Sequence, residues 1–228
     1  MFGPDPIDLY DPSPYGPLAY YGHLAIGALA LLAALAAFAT YKGGRNHRWA
    51  GYVFFGALAV VCLTSAKMLY HVFIPPLFMA VFTAAYAVAG AWLALQRGTV
   101  RVRLAEAGLT VFEIVGLALF LDRALAAVAE GIVPPFAPWI IATIPLILLA
   151  GDANWFLRHK DRARLRLARH FSRMIWGFVV VFRAPLVELA AGGLPIPQPV
   201  VVIGPIAVGL AMLWYCRRRY LRPTARSV

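Results

Sequence analysis

The chain has 228 residues, of which 62% are hydrophobic and only 14% charged, and its formal net charge is +11. A soluble domain carries roughly a quarter charged residues, so this composition argues against a water-soluble fold and indicates a membrane protein. The cations lie in short connectors between apolar stretches, which favours a topology signal over a nucleic-acid interface.

Seven apolar stretches predict seven transmembrane helices, because a helix needs about 20 mostly apolar residues to cross a bilayer. In chain order they are residues 18–40, 49–70, 77–95, 108–125, 138–156, 171–190 and 200–216. The connectors between them are short, which predicts that consecutive spans are antiparallel neighbours. The expected fold class is therefore all-α, an integral membrane bundle formed by one domain over residues 18–216.

The two ends of the chain differ in character. Residues 1–17 form a proline-rich arm with three aspartates, and residues 217–228 form a basic tail. Prolines this dense are incompatible with a helix, so we expect an extended arm. The arm also lacks the basic and then apolar order of a cleavable signal, and the first span is expected to serve as an uncleaved insertion signal.

The lysines and arginines orient the bundle, because connectors that face the cytoplasm are enriched in them. Connectors 41–48, 96–107 and 157–170 and the tail are basic, whereas the other connectors and the arm carry no lysine or arginine. This pattern predicts an exterior N-terminus, a cytoplasmic C-terminus and a multi-pass protein of the bacterial cytoplasmic membrane. The cations are also expected to meet anionic membrane lipids.

The basic connector before the sixth span has a further predicted feature. Arg164, Arg166 and Arg169 follow one another closely in a short run that leads into the span. A basic helix that lies on the cytoplasmic membrane surface is the expected structure there.

Ionisable side chains within spans are costly unless they are paired, so they are candidates for function. Near the exterior side we identify four candidate ligand-binding residues: Lys67, His71, Asp122 and Arg183. Lys67 and His71 are four residues apart and therefore share a helix face. Two interpretations stay open for this layer, namely salt bridges between helices and a cavity that opens to the exterior and receives an anionic ligand.

The expected ion pairs of this outer layer join different spans. Arg183, the deepest cation, is expected to pair with Asp122 or Glu188, and Lys67 with one of the same acids. Asp122 is not expected to pair well with Arg123, because the side chains of adjacent helical residues point apart.

A second polar layer lies near the predicted cytoplasmic side and contains His47, Glu113, Asp152, His170 and Arg173. Two imidazoles and two carboxylates from different helices resemble a first-row metal shell, so His47, Glu113, Asp152 and His170 are candidate metal ligands. In the haem variant of this hypothesis, His47 and His170 are the axial ligands and Arg173 neutralises a propionate. A proton relay and simple polar residues at headgroup depth are the open alternatives.

Three histidines are spaced 24 residues apart, at His23, His47 and His71, which suggests stacked haems. A helix rises about 36 Å over that distance, more than the roughly 30 Å hydrocarbon core. This length argues against a two-haem chain and leaves a single haem, held either by His23 and His71 or by His47 and His170.

Two short motifs carry a resemblance to a known family. They are KG-x-x-x-HR-x-x-G over residues 42–51 and H-x-x-RM over residues 170–174. Together they resemble an uncharacterised family of bacterial polytopic membrane proteins, a domain of unknown function. The resemblance implies a multi-pass fold without an established activity. Its motifs contain His47, His170 and Arg173, which supports these three residues as candidates.

Three functions are compatible with the sequence. The first is a haem- or metal-binding membrane protein, and a redox-linked role is part of this hypothesis. The second is an accessory subunit without catalytic activity that binds other subunits of a larger membrane complex. The third is a carrier or receptor for a small anionic ligand. Whether the protein is an enzyme stays open.

Overall fold

The structure is a computed structural model that describes residues 16–71, 73–158, 162–191 and 193–220. These residues form seven α-helices, which confirms the all-α class. They are α1 (Pro17–Ala39), α2 (Arg45–His71), α3 (Pro75–Leu93), α4 (Val100–Ala129), α5 (Ala137–Leu157), α6 (Arg162–Ala191) and α7 (Gln198–Tyr220).

Six of these helices are long and apolar enough to cross a membrane, namely all except α6. Helix α6 contains five arginines within its first 12 residues and a sixth at Arg183, which lowers its mean hydropathy. The structure therefore supports a multi-pass membrane protein with six candidate spans, and the crossing by α6 stays a prediction.

Two helices begin eight or nine residues before their predicted spans, because hydropathy locates apolar spans and not helix ends. Helix α4 starts at Val100 instead of residue 108, and the Thr99 hydroxyl caps it by accepting a hydrogen bond from the backbone N–H of Val102 at 3.3 Å. Helix α6 starts at Arg162 instead of residue 171. The basic run is helical, as predicted, and forms the first part of α6, with Arg169 buried. Its position on the membrane surface stays a prediction.

The chain divides into two compact units. The first contains α1 and α2, and the second contains α3, α4, α5, α7 and α6 as far as Ala190. In the first unit, α1 buries a face of alanines, whose small side chains let helix backbones approach closely. These alanines are Ala30, Ala33, Ala34 and Ala37.

The turn from α1 to α2 is closed by side chains of the first motif. The Lys42 Nζ donates to the carbonyl oxygens of Ala37 at 2.8 Å and Phe38 at 2.7 Å, and the His47 Nδ1 donates to the Ala37 oxygen at 2.9 Å. Gly43 has a φ of +79°, a conformation that favours glycine. The last carbonyls of a helix have no partner within the helix, so the motif caps the end of α1.

In the second unit, α4 presents a buried stripe with the three- and four-residue spacing of an interior helix face. Its buried members include Glu106, Glu113, Leu117 and Phe120. The stripe is apolar at one end, where Leu117 and Phe120 pack against Met79. It is acidic at the other end, and that end positions the candidate site.

Candidate functional site

Asp152 on α5 is the centre of a buried charge network. Its side chain is 1% exposed, and its Oδ1 atom contacts the guanidinium groups of Arg169 and Arg173, both on α6. Its Oδ2 atom accepts hydrogen bonds from the Tyr86 hydroxyl at 2.5 Å and the Thr110 hydroxyl at 2.6 Å. A buried carboxylate stabilises a fold only when such partners satisfy it, and here they come from three other helices.

Arg173 is held by more than its ion pair. Its Nη1 atom donates to the backbone oxygen of Tyr86 at 3.1 Å, and its guanidinium carbon lies 4.3 Å from the centroid of the Tyr86 ring, within the range of a cation–π contact. Gly90 leaves the space for this guanidinium, because a Cβ atom at Gly90 would lie 2.8 Å from the Arg173 Cζ. Arg173 is therefore fixed by α3 and α5 together.

A second buried acid, Glu106, lies nearer the start of α4. Its Oε1 atom accepts a hydrogen bond from the Trp155 Nε1 at 3.0 Å, and its Oε2 atom lies 2.9 Å from the Arg162 Nη1 as an ion pair without hydrogen-bond alignment. The guanidinium groups of Arg162 and Arg169 lie 4.6 Å and 4.8 Å from the Trp155 ring. Trp155 thus links the two ion-pair centres.

Glu113 differs from the other two acids because its direct partner is neutral. It is 0% exposed, and its Oε1 atom accepts a hydrogen bond from the Thr83 hydroxyl at 2.8 Å. Its Oε2 atom has no hydrogen-bond partner among the residues that the structure describes. Glu113 is therefore buried without a direct ion pair.

A cavity of about 80 Å³ lies among α3, α5 and α6. Arg183 and Thr83 are its polar lining residues, and the rest of its wall is apolar, including Ile144 and Val180. Among the side chains that the structure describes, Arg183 has no hydrogen bond or ion pair. The Glu188 side chain, one of its two expected partners, lies outside the described part.

The other expected partner of Arg183 is engaged elsewhere. The Asp122 Oδ2 lies 3.7 Å from the Arg123 Nε, and both side chains are largely exposed. The two side chains come within ion-pair distance, but the separation and their exposure make this a weak contact, in keeping with the prediction that adjacent residues pair poorly. The pairing of Lys67 with an outer acid stays a prediction, and Lys67 and His71 are exposed near the end of α2.

The exterior haem hypothesis gains no support from the first unit. The His23 Nδ1 atom lies 2.8 Å from the Thr64 Oγ1 atom, so His23 is level with Thr64 on α2. His71 lies seven residues further along that helix, an axial offset of about 10 Å. The structure thus pairs His23 with Thr64, a contact that the sequence analysis missed.

The four candidate metal ligands do not form a recognisable metal shell. Across residues 16–71, 73–158, 162–191 and 193–220, no group of three or more His, Cys, Asp or Glu side chains is arranged to hold a metal. Asp152 is engaged with Arg169 and Arg173, and Glu113 with Thr83. The haem or metal role of His47, Glu113, Asp152, His170 and Arg173 stays a prediction.

His47 and His170 instead share a capping role. The His170 Nδ1 donates to the backbone oxygen of Ala91 at 3.0 Å, as His47 does to that of Ala37. Each carbonyl belongs to the third residue from the end of its helix, α3 and α1 respectively. A carbonyl only accepts hydrogen bonds, so Nδ1 carries a proton in both rings. The histidine of each motif therefore caps the C-terminal end of a helix by donating a hydrogen bond to one of its last carbonyl oxygens.

Sequence reasoning missed several members of the network: Thr83, Tyr86, Glu106, Thr110 and Arg162. The available signal was their spacing, since residues 106, 110 and 113 share one face of α4 and residues 162, 169 and 173 share one face of α6. That signal does not reveal which helices face each other.

No family model, curated protein or solved structure matches this chain. The resemblance carried by the two motifs therefore stays a prediction. The function must be inferred from the geometry of the side chains.

Proposed function

We propose that this membrane protein binds a small anion in the cavity beside Arg183 and acts as a carrier or receptor for it. One observation carries the proposal: Arg183 lines the cavity and has no counter-ion among the described side chains. A cation inside a membrane bundle is costly unless an anion accompanies it. A bound ligand supplies that anion.

Three other arginines of α6, all buried or half-buried, support the proposal by contrast. Arg162 pairs with Glu106, and Arg169 and Arg173 both pair with Asp152. Each of these three cations has a carboxylate of the protein as its partner. Arg183 is placed beside an open volume instead, as expected for a cation that serves a ligand.

The position of Arg183 along α6 fits access from outside the cell. Arg183 lies 21 residues after Arg162, an axial distance of about 32 Å, close to the thickness of the hydrocarbon core. The positive-inside pattern assigns the basic start of α6 to the cytoplasm. The proposal therefore includes a crossing by α6, an exterior cavity mouth and a bacterial cytoplasmic membrane.

Binding of simple anions by detergent-purified protein tests the proposal. Chloride, acetate and phosphate are titrated against the wild type, Arg183→Leu and Arg123→Leu, with the melting temperature and calorimetric heat as readouts. Arg123 is the matched control because it is an exposed arginine paired with its neighbour. We expect saturable binding of at least one anion to the wild type and to Arg123→Leu, and none to Arg183→Leu. Equal behaviour of all three proteins would contradict the proposal.

A haem or metal site is a second proposal, and one observation favours it. In His47 and His170, an Nδ1–H group donates to a backbone carbonyl, which is how metal-binding histidines are commonly oriented. An absorption spectrum and metal analysis of the purified protein test it. A haem band that is lost in one of the variants His47→Ala and His170→Ala supports that histidine as a ligand, and a colourless, metal-free protein overturns the proposal.

A further inference from the structure

The wall of the Arg183 cavity constrains the chemistry of its ligand. Apart from Arg183 and Thr83, every lining residue is apolar; they include Met79, Ile141 and Ile144. Among the lining residues that the structure describes, Arg183 carries the only formal charge. A single cation in an apolar wall matches a ligand with one negative charge and an apolar remainder.

The shape of the Arg183 guanidinium indicates which anionic group the ligand carries. A guanidinium is planar and presents parallel N–H donors that match the two oxygens of a carboxylate. Phosphate and sulfate could use the same donors, but their remaining oxygens need further hydrogen bonds. Thr83 does not provide one, because its hydroxyl hydrogen is directed at Glu113.

The volume of the cavity limits the size of the apolar part. A cavity of about 150 Å³ holds a benzene molecule, which has six non-hydrogen atoms. The Arg183 cavity, at about 80 Å³, is roughly half as large. Scaled from benzene, this volume encloses about three non-hydrogen atoms. Because the cavity is partly open, a ligand of about four or five, the size of acetate or propionate, can bind with the rest of its atoms at the opening.

From the single charge of the cavity, its apolar wall and its volume, we infer that the ligand is a short-chain aliphatic monocarboxylate. Its carboxylate binds Arg183, and its alkyl chain lies against the apolar wall. The inference rests on the proposed anion-binding function and specifies the ligand class. It predicts that the affinity rises about fourfold with each methylene that the cavity can bury and falls once the chain is too long.

The test is a titration of formate, acetate, propionate, butyrate, hexanoate and palmitate, with phosphate and sulfate for comparison. The proteins are the wild type, Arg183→Leu, Ala80→Leu and Ala105→Leu. Ala80 lines the cavity, so a leucine there should fill it and shift the preferred chain by one or more carbons towards formate. Ala105 is exposed on α4, which makes Ala105→Leu the control for the same substitution outside the cavity.

We expect the highest affinity at acetate or propionate, with phosphate and sulfate at least about tenfold weaker, and a shift of the preferred length only in Ala80→Leu. If anions bind through Arg183 but phosphate binds as well as propionate, or chain length has no effect, this inference fails and the proposed function stands. Tighter binding of palmitate than of propionate also overturns it, in favour of a lipid chain. If no anion depends on Arg183, both fail.

Discussion

Asp152 and Arg173 form an ion pair that is almost completely withheld from solvent, with 1% and 2% of the two residues exposed. The pair joins α5 to α6, and Arg169 on α6 contacts the same carboxylate oxygen. One carboxylate therefore compensates two guanidinium groups. The cost of losing it should exceed that of losing any surface ion pair.

Asp152→Asn tests this expectation. The amide keeps the shape of the side chain but leaves Arg169 and Arg173 without a counter-charge, so we expect a loss of about 3–5 kcal/mol in the free energy of unfolding. Thermal or denaturant unfolding in detergent measures it. Asp122→Asn is the control, since its pair with Arg123 is exposed and should contribute less than about 1 kcal/mol. Similar losses of stability in both variants would contradict a stabilising role of the Asp152 network.

The second prediction concerns Gly90, which leaves the space that the Arg173 guanidinium occupies. Gly90→Ala places a methyl group where the Arg173 guanidinium lies, so Arg173 must move away from Asp152 or from the Tyr86 carbonyl. We expect a lower melting temperature. Gly151→Ala is the matched control, because nothing lies within 4 Å of a Cβ there and alanine favours a helix.

The Gly151→Ala control should leave the melting temperature unchanged or raise it slightly. A Gly90→Ala protein that is as stable as the control would mean that Arg173 can be relocated without loss.

The shared carbonyl of Ala37 predicts that the first motif behaves as a coupled pair. His47→Ala leaves Lys42 on that oxygen, so the loss of stability should be modest, about 0.5–1 kcal/mol. Lys42→Ala together with His47→Ala leaves that oxygen, among the described side chains, with only the long, 3.4 Å hydrogen bond from the Thr40 hydroxyl, so the double change should cost more than the sum of the single changes.

A double-mutant cycle on the melting temperature or the free energy of unfolding measures this coupling. Strict additivity would show that the two donors do not substitute for each other. Retained binding of haem in His47→Ala would separately argue against its role as a haem ligand.

The crossing by α6 is testable through topology. Reporters fused within residues 159–161, within residues 194–197 and after Val228 should read cytoplasmic, exterior and cytoplasmic, respectively, because the first and last segments are basic. The same side for the first two reporters would show that α6 does not cross, and it would overturn the access proposed for the Arg183 cavity.

Hydropathy located every helix, because apolar runs and helices coincide over most of this chain. It failed at the starts of α4 and α6, where charged residues continue the helix. Those extensions contain Glu106 and Arg162, which form an ion pair. Because both residues lie outside the predicted apolar spans, the prediction of spans did not identify this pair.

The candidate site was predictable only in part. Asp152 and Arg173 stood out because ionisable residues in spans are rare. Their pairing was not predictable, because contacts between helices leave no local pattern in a sequence. Likewise, nothing in the sequence distinguishes Arg183, beside a cavity, from Arg173, which has a carboxylate of the protein.

The Asp152 network also has a consequence for how the chain is made. Asp152 is synthesised before Arg169 and Arg173, so α5 leaves the ribosome with its carboxylate lacking both cations. An unpaired acid is costly in lipid, and so are two unpaired arginines. If α6 crosses the membrane as proposed, entry of α5 and α6 as a preformed hairpin avoids both costs. The network would then favour insertion of the two helices as one unit.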